Sequence, residues 1–141
     1  MSVILALDVG DVRVGVAVCD ALGLTVRPLE ALSRQGGQVE QSIIALAERL
    51  KATKIVVGDP LSALGEETGQ SRKIERFCRR LSRRTTLPIE RVSEYLSSEE
   101  AKERLGLHSS SAVEVRASGV IDSNAAAIIL ERYLQGNFDI K

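Results

Sequence analysis

Asp8 is the first candidate catalytic residue in this sequence of 141 residues. It ends an apolar, strand-like run, stands before a turn that contains Gly10, and shares its strand face with Ile4 and Ala6. A carboxylate on an apolar face needs a partner, because burial penalises an uncompensated charge. The alternative is that Asp8 only accepts hydrogen bonds from the backbone of the turn, as aspartate commonly does.

Two further carboxylates occupy comparable positions later in the chain. Glu94 follows a predicted strand that ends at Ser93, although a solvated loop glutamate is the default at such a position. Asp122 falls in the first turn of a predicted final helix, on the same stripe as Ala125 and Ile129. Aspartate is also a preferred N-cap residue, so capping alone could explain Asp122.

Taken together, Asp8, Glu94 and Asp122 indicate a site for divalent metal. Carboxylates gathered at strand ends repel one another unless a cation lies between them. Hard oxygen ligands without histidine or cysteine favour Mg²⁺ or Mn²⁺. The chain has one histidine and two cysteines without a Cys-x-x-Cys spacing, so zinc, a disulfide framework and Cys/His nucleophilic catalysis are not expected.

The elements that must position these carboxylates follow a mixed α/β pattern. Strand-like runs are predicted at 3–7, 12–19, 25–32, 54–58 and 87–93, and helices at 38–52, 71–84, 97–105 and 122–134. The early strands lie too close together for crossover helices, whereas the later strands alternate with helices. We therefore expect a single domain, 1–141, in which a mixed sheet of about five strands is flanked by helices. The segment 108–119 reads as a mobile connection.

Composition limits the choice of partners. Nineteen basic and nineteen acidic residues cancel, so no global field draws the molecule onto a polyanion. No apolar run reaches the roughly 18 to 20 residues that span a bilayer, and no leader pattern precedes the first strand. We expect a cytoplasmic protein without a membrane partner.

Positive charge is concentrated locally, and we expect nucleic acid to contact it. Eight basic residues lie between Gly69 and Arg91, against two glutamates. Arg13, close to Asp8, is either a phosphate contact or a structural ion-pair partner. A basic helix face can also be merely solvated, and two Phe and two Tyr offer little for base stacking. The candidate nucleic-acid-binding residues are Arg13, Arg72, Arg76 and Arg80.

Four motifs resemble, in order and spacing, the YqgF/RuvX family. Members of this family are described as pre-16S rRNA nucleases and, earlier, as Holliday junction resolvases. The resemblance covers almost the whole chain. The motifs are Asp8-Val9-Gly10-x-x-Arg13-x-Gly15-Val16-Ala17, Val56-Val57-Gly58-x-Pro60-Leu61, Glu94-x-Leu96-Ser97-Ser98-x-Glu100-Ala101 and Asp122-Ser123-x-Ala125-Ala126-x-Ile128-x-Leu130.

The resemblance implies an RNase H-like fold related to the RuvC resolvases and a metal-dependent nuclease that processes the 5′ end of pre-16S rRNA in ribosome biogenesis. Asp8 would be the shared metal ligand, with Glu94 and Asp122 completing a two-metal site. The implied partners are RNA, or structured or branched DNA, and ribosomal precursor particles. Either a monomer or a homodimer is compatible with this function.

Other functions stay open at this point. Ser93 and Tyr95 replace charged residues usual in the family, which favours a non-catalytic nucleic-acid or ribosome-assembly module as one alternative, beside a Holliday junction resolvase. Asp59 replaces a usual leucine and could add a carboxylate to the same cluster. An Asp-x-Gly turn after a first strand also occurs in sugar kinases and actin-like ATPases, but those proteins bind nucleotide between two such domains.

Overall fold

The computed structural model describes residues 3–59, 69–93 and 119–135. Within these ranges the chain forms five strands and three helices. They are β1 (Ile4–Val9), β2 (Arg13–Cys19), β3 (Val26–Ser33), α1 (Val39–Leu50), β4 (Lys54–Asp59), α2 (Gly69–Ser82), β5 (Ile89–Ser93) and α3 (Gly119–Gln135).

The five strands form one mixed sheet in the order β3-β2-β1-β4-β5. β1 pairs antiparallel with β2, and β2 pairs antiparallel with β3. β4 runs parallel to β1, and β5 runs parallel to β4. The predicted mixed sheet of five strands is confirmed. Because β1, β4 and β5 are parallel, their C-terminal ends lie at one edge of the sheet.

Each face of the sheet is covered by different helices. Alternation along β1 sends Leu5 and Leu7 into a core with α1 and α2, and sends Ile4 and Ala6 into a core with α3. Asp8 continues the second series, so it lies on the α3 face. The helices contribute Ile43, Phe77 and Leu81 to the first core, and Ile129 and Leu130 to the second.

The ends of the helices differ slightly from the predicted ones. α1 lies within the predicted range 38–52 and ends before Lys51, which adopts a left-handed conformation with φ 60°. α2 begins two residues earlier than predicted. α3 begins at Gly119, three residues earlier, so Asp122 is the fourth residue of the helix and not its N-cap. The predicted helix 97–105 and segment 108–118 lie outside the described residues.

Side-chain contacts hold α3 against the sheet near its C-terminal end. Lys54 Nζ on β4 donates to Tyr133 Oη at 2.6 Å, and Tyr133 Oη donates to Glu90 Oε1 on β5 at 2.9 Å. The hydrogen bond to Tyr133, with a smaller contribution from Glu90, raises the pKa of Lys54. None of the helices in the described ranges is both long and apolar enough to cross a membrane.

Candidate active site

Asp8 lies at the C-terminal edge of the sheet between two glycines. It is paired with Gly15 across the antiparallel ladder of β1 and β2. On the other side Leu7 is paired with Val57, so Gly58 is the next residue of β4 beside Asp8. Neither glycine carries a side chain, so no side chain of the paired positions on β2 and β4 flanks the half-buried Asp8 on the α3 face.

The first turn of α3 is attached to the sheet next to this position. Ser123 Oγ accepts a hydrogen bond from Val16 N at 3.2 Å, and Ser123 is buried. Val16 follows Gly15, the residue paired with Asp8. The backbone of Asp122, immediately before Ser123, is therefore carried to the same part of the α3 face. The side chain of Asp122 lies outside what the structure describes.

Glu94 also lies outside the described residues, but the strand before it leads to the same edge. β5 ends at Ser93, which is paired with Asp59 at the end of β4. The chain thus leaves the sheet at the edge where Asp8 lies. Within 3–59, 69–93 and 119–135 no group of three potential metal-ligating side chains is present. The three predicted ligands stay a prediction.

Asp59 does not join Asp8, contrary to the suggestion that it adds to the same cluster. Side chains alternate along β4, so Gly58 faces α3 and Asp59 lies on the opposite face with Val57. There Asp59 is buried, and its Oδ2 lies 3.4 Å from Arg91 Nε. The carboxylate of Asp59 belongs to an ion pair on the α1 and α2 side of the sheet.

The turn after Asp8 is closed by two short hydrogen bonds, one within the backbone and one from the Arg34 side chain. Gly10 N donates to Arg13 O at 2.8 Å, and Arg34 Nη1 donates to Gly10 O at 2.6 Å. A Cβ on Gly10 would lie 2.9 Å from Arg13 O, so the turn requires glycine. Arg13 begins β2 two residues before Gly15 and shares the sheet face of Asp8, as a phosphate contact would require.

The candidate arginines of α2 have different surroundings. Arg72, Arg76 and Arg80 are all exposed. Arg80 Nε donates to Glu40 Oε2 at 3.1 Å, and its guanidinium lies 5.8 Å from the centre of the Phe77 ring. Arg80 therefore also joins α2 to α1. Arg34 also lies here, with its guanidinium 5.5 Å from the centre of the same ring. It is not among the predicted residues, because no local sequence pattern links it to α2.

Comparison with known proteins identifies the family. A family model described as "RuvX: Holliday junction resolvase" matches residues 2–136. The chain belongs to the RuvX family. This confirms the resemblance inferred from the four motifs, and it places the chain among Holliday junction resolvase-like nucleases.

Relatives of this RuvX chain carry a consistent name. A protein of Prochlorococcus marinus (strain MIT 9313) is 39% identical over 138 residues, which cover 97% of this chain and 82% of the relative. A protein of Syntrophus aciditrophicus (strain SB) is 43% identical over 133 residues, covering 93% and 87%. Both are named "Putative pre-16S rRNA nuclease".

Solved structures show the same fold. This RuvX chain is similar to T. thermophilus RuvC in complex with a Holliday junction substrate, with a TM-score of 0.57 and 14% identity over 97% of this chain and 96% of that one. A second T. thermophilus RuvC structure gives a TM-score of 0.55 and 15% identity, with the same coverage. The predicted RNase H-like fold is confirmed.

Proposed function

We propose that this RuvX chain is a divalent-metal-dependent nuclease that hydrolyses phosphodiester bonds of precursor 16S rRNA at its 5′ end, in ribosome biogenesis. The observation that carries the proposal is the position of Asp8, between Gly15 and Gly58 and beside the anchored first turn of α3. The names of the relatives support rRNA as the substrate.

The proposed donor set suits a hard cation. Asp8 is a half-buried carboxylate on the α3 face, and Glu94 and Asp122 would add two more carboxylates. Oxygen ligands of this kind favour Mg²⁺ or Mn²⁺. A bound divalent cation would lower the pKa of the attacking water and neutralise charge on the leaving oxygen.

The protein itself would orient the substrate. Water attacks phosphorus, the bond from phosphorus to the 3′ oxygen breaks, and the proton passes to that oxygen, which leaves a 5′-phosphate and a 3′-hydroxyl. Asp8, held on a central strand, would orient the cation relative to the scissile phosphate. Arg13, on the same face, would contact a neighbouring phosphate oxygen, because guanidinium and phosphate match in charge and geometry.

A second candidate is cleavage of a four-way DNA junction, which the description of the matching family favours. RNA and DNA present the same phosphodiester backbone to the carboxylates, so the chemistry at Asp8 would be the same. A junction resolvase would need two active sites related by two-fold symmetry, whereas an rRNA nuclease can act as a monomer.

The deciding experiment incubates the purified protein with a labelled single-stranded RNA, a precursor rRNA fragment and a four-way DNA junction. Each substrate is tested with Mn²⁺, with Mg²⁺ and with EDTA, beside the variants Asp8→Asn and Asp20→Asn. Asp20 lies after β2 at the opposite edge of the sheet, where its Oδ1 accepts from Leu24 N at 2.8 Å, so it is the matched control.

We expect metal-dependent cleavage that Asp8→Asn abolishes and Asp20→Asn retains, with the precursor rRNA fragment cut in preference to the junction. Preferential cleavage of the junction would show that the substrate is a four-way DNA junction, the second candidate, and not rRNA. Binding of RNA without cleavage under any metal condition would overturn the nuclease and favour a non-catalytic binding module for ribosomal precursor particles.

A further inference from the structure

A basic groove lies on the α1 and α2 side of the sheet, opposite the face that carries Asp8. A cavity of about 410 Å³ and a second of about 290 Å³ share Arg34 and Arg80 among their lining residues and are therefore adjacent. We call them together the Arg34 groove. Its cationic side chains are Arg34, Lys73, Arg76, Arg80 and Arg84.

The charge of the groove is strongly positive although the whole chain is neutral. Among the described residues that line it, the acidic ones are Asp11 and Glu40, so five cations and two carboxylates leave these residues a net charge of +3. The spacing of Lys73, Arg76, Arg80 and Arg84 puts them along one side of α2 and its C-terminal extension. At 1.5 Å per residue this row is roughly 16 Å long, enough to contact several phosphates.

Two of these cations have no partner within the described part of the chain. The side chains of Arg76 and Arg84 make no hydrogen bond or ion pair with any described residue. Lys73 Nζ lies 3.8 Å from Asp11 Oδ1, and both of these side chains are more than half exposed, so solvent screens the pair. Arg76 and Arg84 can therefore bind an anion without losing a hydrogen bond or ion pair to any residue in 3–59, 69–93 or 119–135.

Arg34 connects the groove to the turn that follows Asp8. Its Nη1 donates to Gly10 O at 2.6 Å, and Val9, the neighbour of Asp8, lines the larger cavity. Asp8 and Val9 point to opposite faces of the same strand end. A polyanion that crosses this edge of the sheet could thus present one phosphate at Asp8 and others in the groove.

The groove suits a phosphate backbone and not bases. Phe77, the aromatic residue beneath it, is 1% exposed, and the guanidinium groups of Arg34 and Arg80 lie over its ring. The ring is therefore closed to stacking with a nucleotide base. Cations without a stacking platform bind nucleic acid by charge, independently of its sequence.

We propose that the Arg34 groove binds the phosphodiester backbone of the nucleic acid whose scissile phosphate lies at Asp8. The inference rests on the proposed nuclease function, and it adds a second contact surface on the opposite face of the sheet. It also divides the arginines of α2, and the two that directly follow it, into two groups. Arg76, Arg80 and Arg84 contact the substrate, whereas Arg72, Arg79 and Arg83 lie outside the groove lining.

The test measures binding without cleavage. Affinity for a labelled single-stranded RNA and for a four-way DNA junction is determined in EDTA at several salt concentrations, for the full chain and for Arg76→Ala, Arg84→Ala and Arg83→Ala. Arg83 is the matched control, because it is an exposed arginine directly after α2 that lines neither cavity. Circular dichroism and thermal melts verify that each variant is folded.

We expect Arg76→Ala and Arg84→Ala each to weaken binding by about 3- to 10-fold and to lower the slope of log affinity against log salt by about 1. Arg83→Ala is expected to bind as the unsubstituted chain does. A loss of affinity for the RNA, for the junction or for both supports the proposal. The nucleic acid whose affinity falls is the one that occupies the groove. If Arg83→Ala and Arg76→Ala lost the same amount of affinity, the proposal that the Arg34 groove binds nucleic acid would be overturned.

The groove and the nuclease can fail separately. Normal binding by both groove variants, together with cleavage that Asp8→Asn abolishes, would overturn the groove and leave the nuclease standing. Weakened binding by these variants in a protein that cuts no substrate would support the groove and overturn the nuclease. A chain that neither binds nor cuts the RNA or the junction overturns both.

Discussion

Ser123 Oγ accepts a hydrogen bond from the backbone N–H of Val16 at 3.2 Å, which joins two residues that are 107 positions apart in the sequence. The contact lies where the pairing of β2 with β3 shifts register, between Val14 and Val16. It fixes the start of α3 against the strand that is paired with β1. The relative position of Asp8 and the first turn of α3 depends on this contact.

Ser123→Ala is expected to lower the free energy of unfolding by about 1–3 kcal/mol, because a buried N–H loses its acceptor. Urea denaturation measures the change. The matched control is Ser42→Ala on the exposed side of α1, where a change within about 0.5 kcal/mol is expected. The cleavage rate of Ser123→Ala should fall by a larger factor than its affinity for RNA, measured in EDTA. Equal stability losses in the two variants would show that the contact with Val16 is unimportant.

Gly10→Ala is expected to disturb the turn after Asp8. The new Cβ would lie 2.9 Å from Arg13 O, a backbone atom that cannot move without breaking the turn. We expect a loss of about 1–3 kcal/mol in the free energy of unfolding, as in other overpacked sites, and reduced cleavage. Gly69→Ala is the control, since no atom lies within 4 Å of its Cβ position. A Gly10→Ala variant as stable and active as Gly69→Ala would contradict this account.

Lys51→Gly is expected to stabilise the protein. Lys51 has φ 60° and ψ 39°, a left-handed conformation in which a Cβ is strained and glycine is not. The strain relieved exceeds the added entropy of the unfolded chain, so the free energy of unfolding should rise by about 0.5–1 kcal/mol. Chemical denaturation measures it, beside Lys51→Ala, which keeps the Cβ and should change stability little. If Lys51→Ala raised the free energy of unfolding as much as Lys51→Gly, the gain would come from removing the lysine side chain and not from relieving the strain at the Cβ.

The Cys78 thiol should make stability depend on pH above neutrality. Burial raises its pKa from 9.0 to about 11; the positive charge of Arg91 opposes this shift, and the negative charge of Asp59 adds a smaller contribution to it. Because the folded pKa is the higher one, the stability from this group is fully present below pH 9 and is lost as the pH rises through 11.

Alkylation with iodoacetamide, followed by peptide mass spectrometry, tests the Cys78 prediction. The rate at Cys78 should reach half its maximum near pH 11 in the folded chain and near pH 9 in urea. In Cys78→Ala the free energy of unfolding should decline less steeply between these two pH values. A midpoint near pH 9 in the folded chain would refute the prediction.

Helical periodicity in the sequence predicts the exposure of the arginines of α2 but not their tertiary neighbours. The apolar residues Ile74, Phe77, Cys78 and Leu81 lie at helical spacing, which predicts a buried stripe with the arginines facing solvent. In the structure Ile74, Phe77 and Leu81 are buried and the arginines are exposed, whereas Cys78 is half-buried. The pattern does not show which exposed arginines share a groove with Arg34, because that residue is 39 positions before Lys73 and approaches α2 only through the tertiary fold.

The sequence by itself determined the α/β class, the family and the place of Asp8 at a strand end, because these follow from local periodicity and from motifs in order. Only the tertiary structure decided that Asp8 lies between Gly15 and Gly58 while Asp59 lies on the opposite face. The physical reason is that alternation relates side chains within one strand. Which side chains of two strands become neighbours depends on pairing and register, and those are set by packing between distant segments.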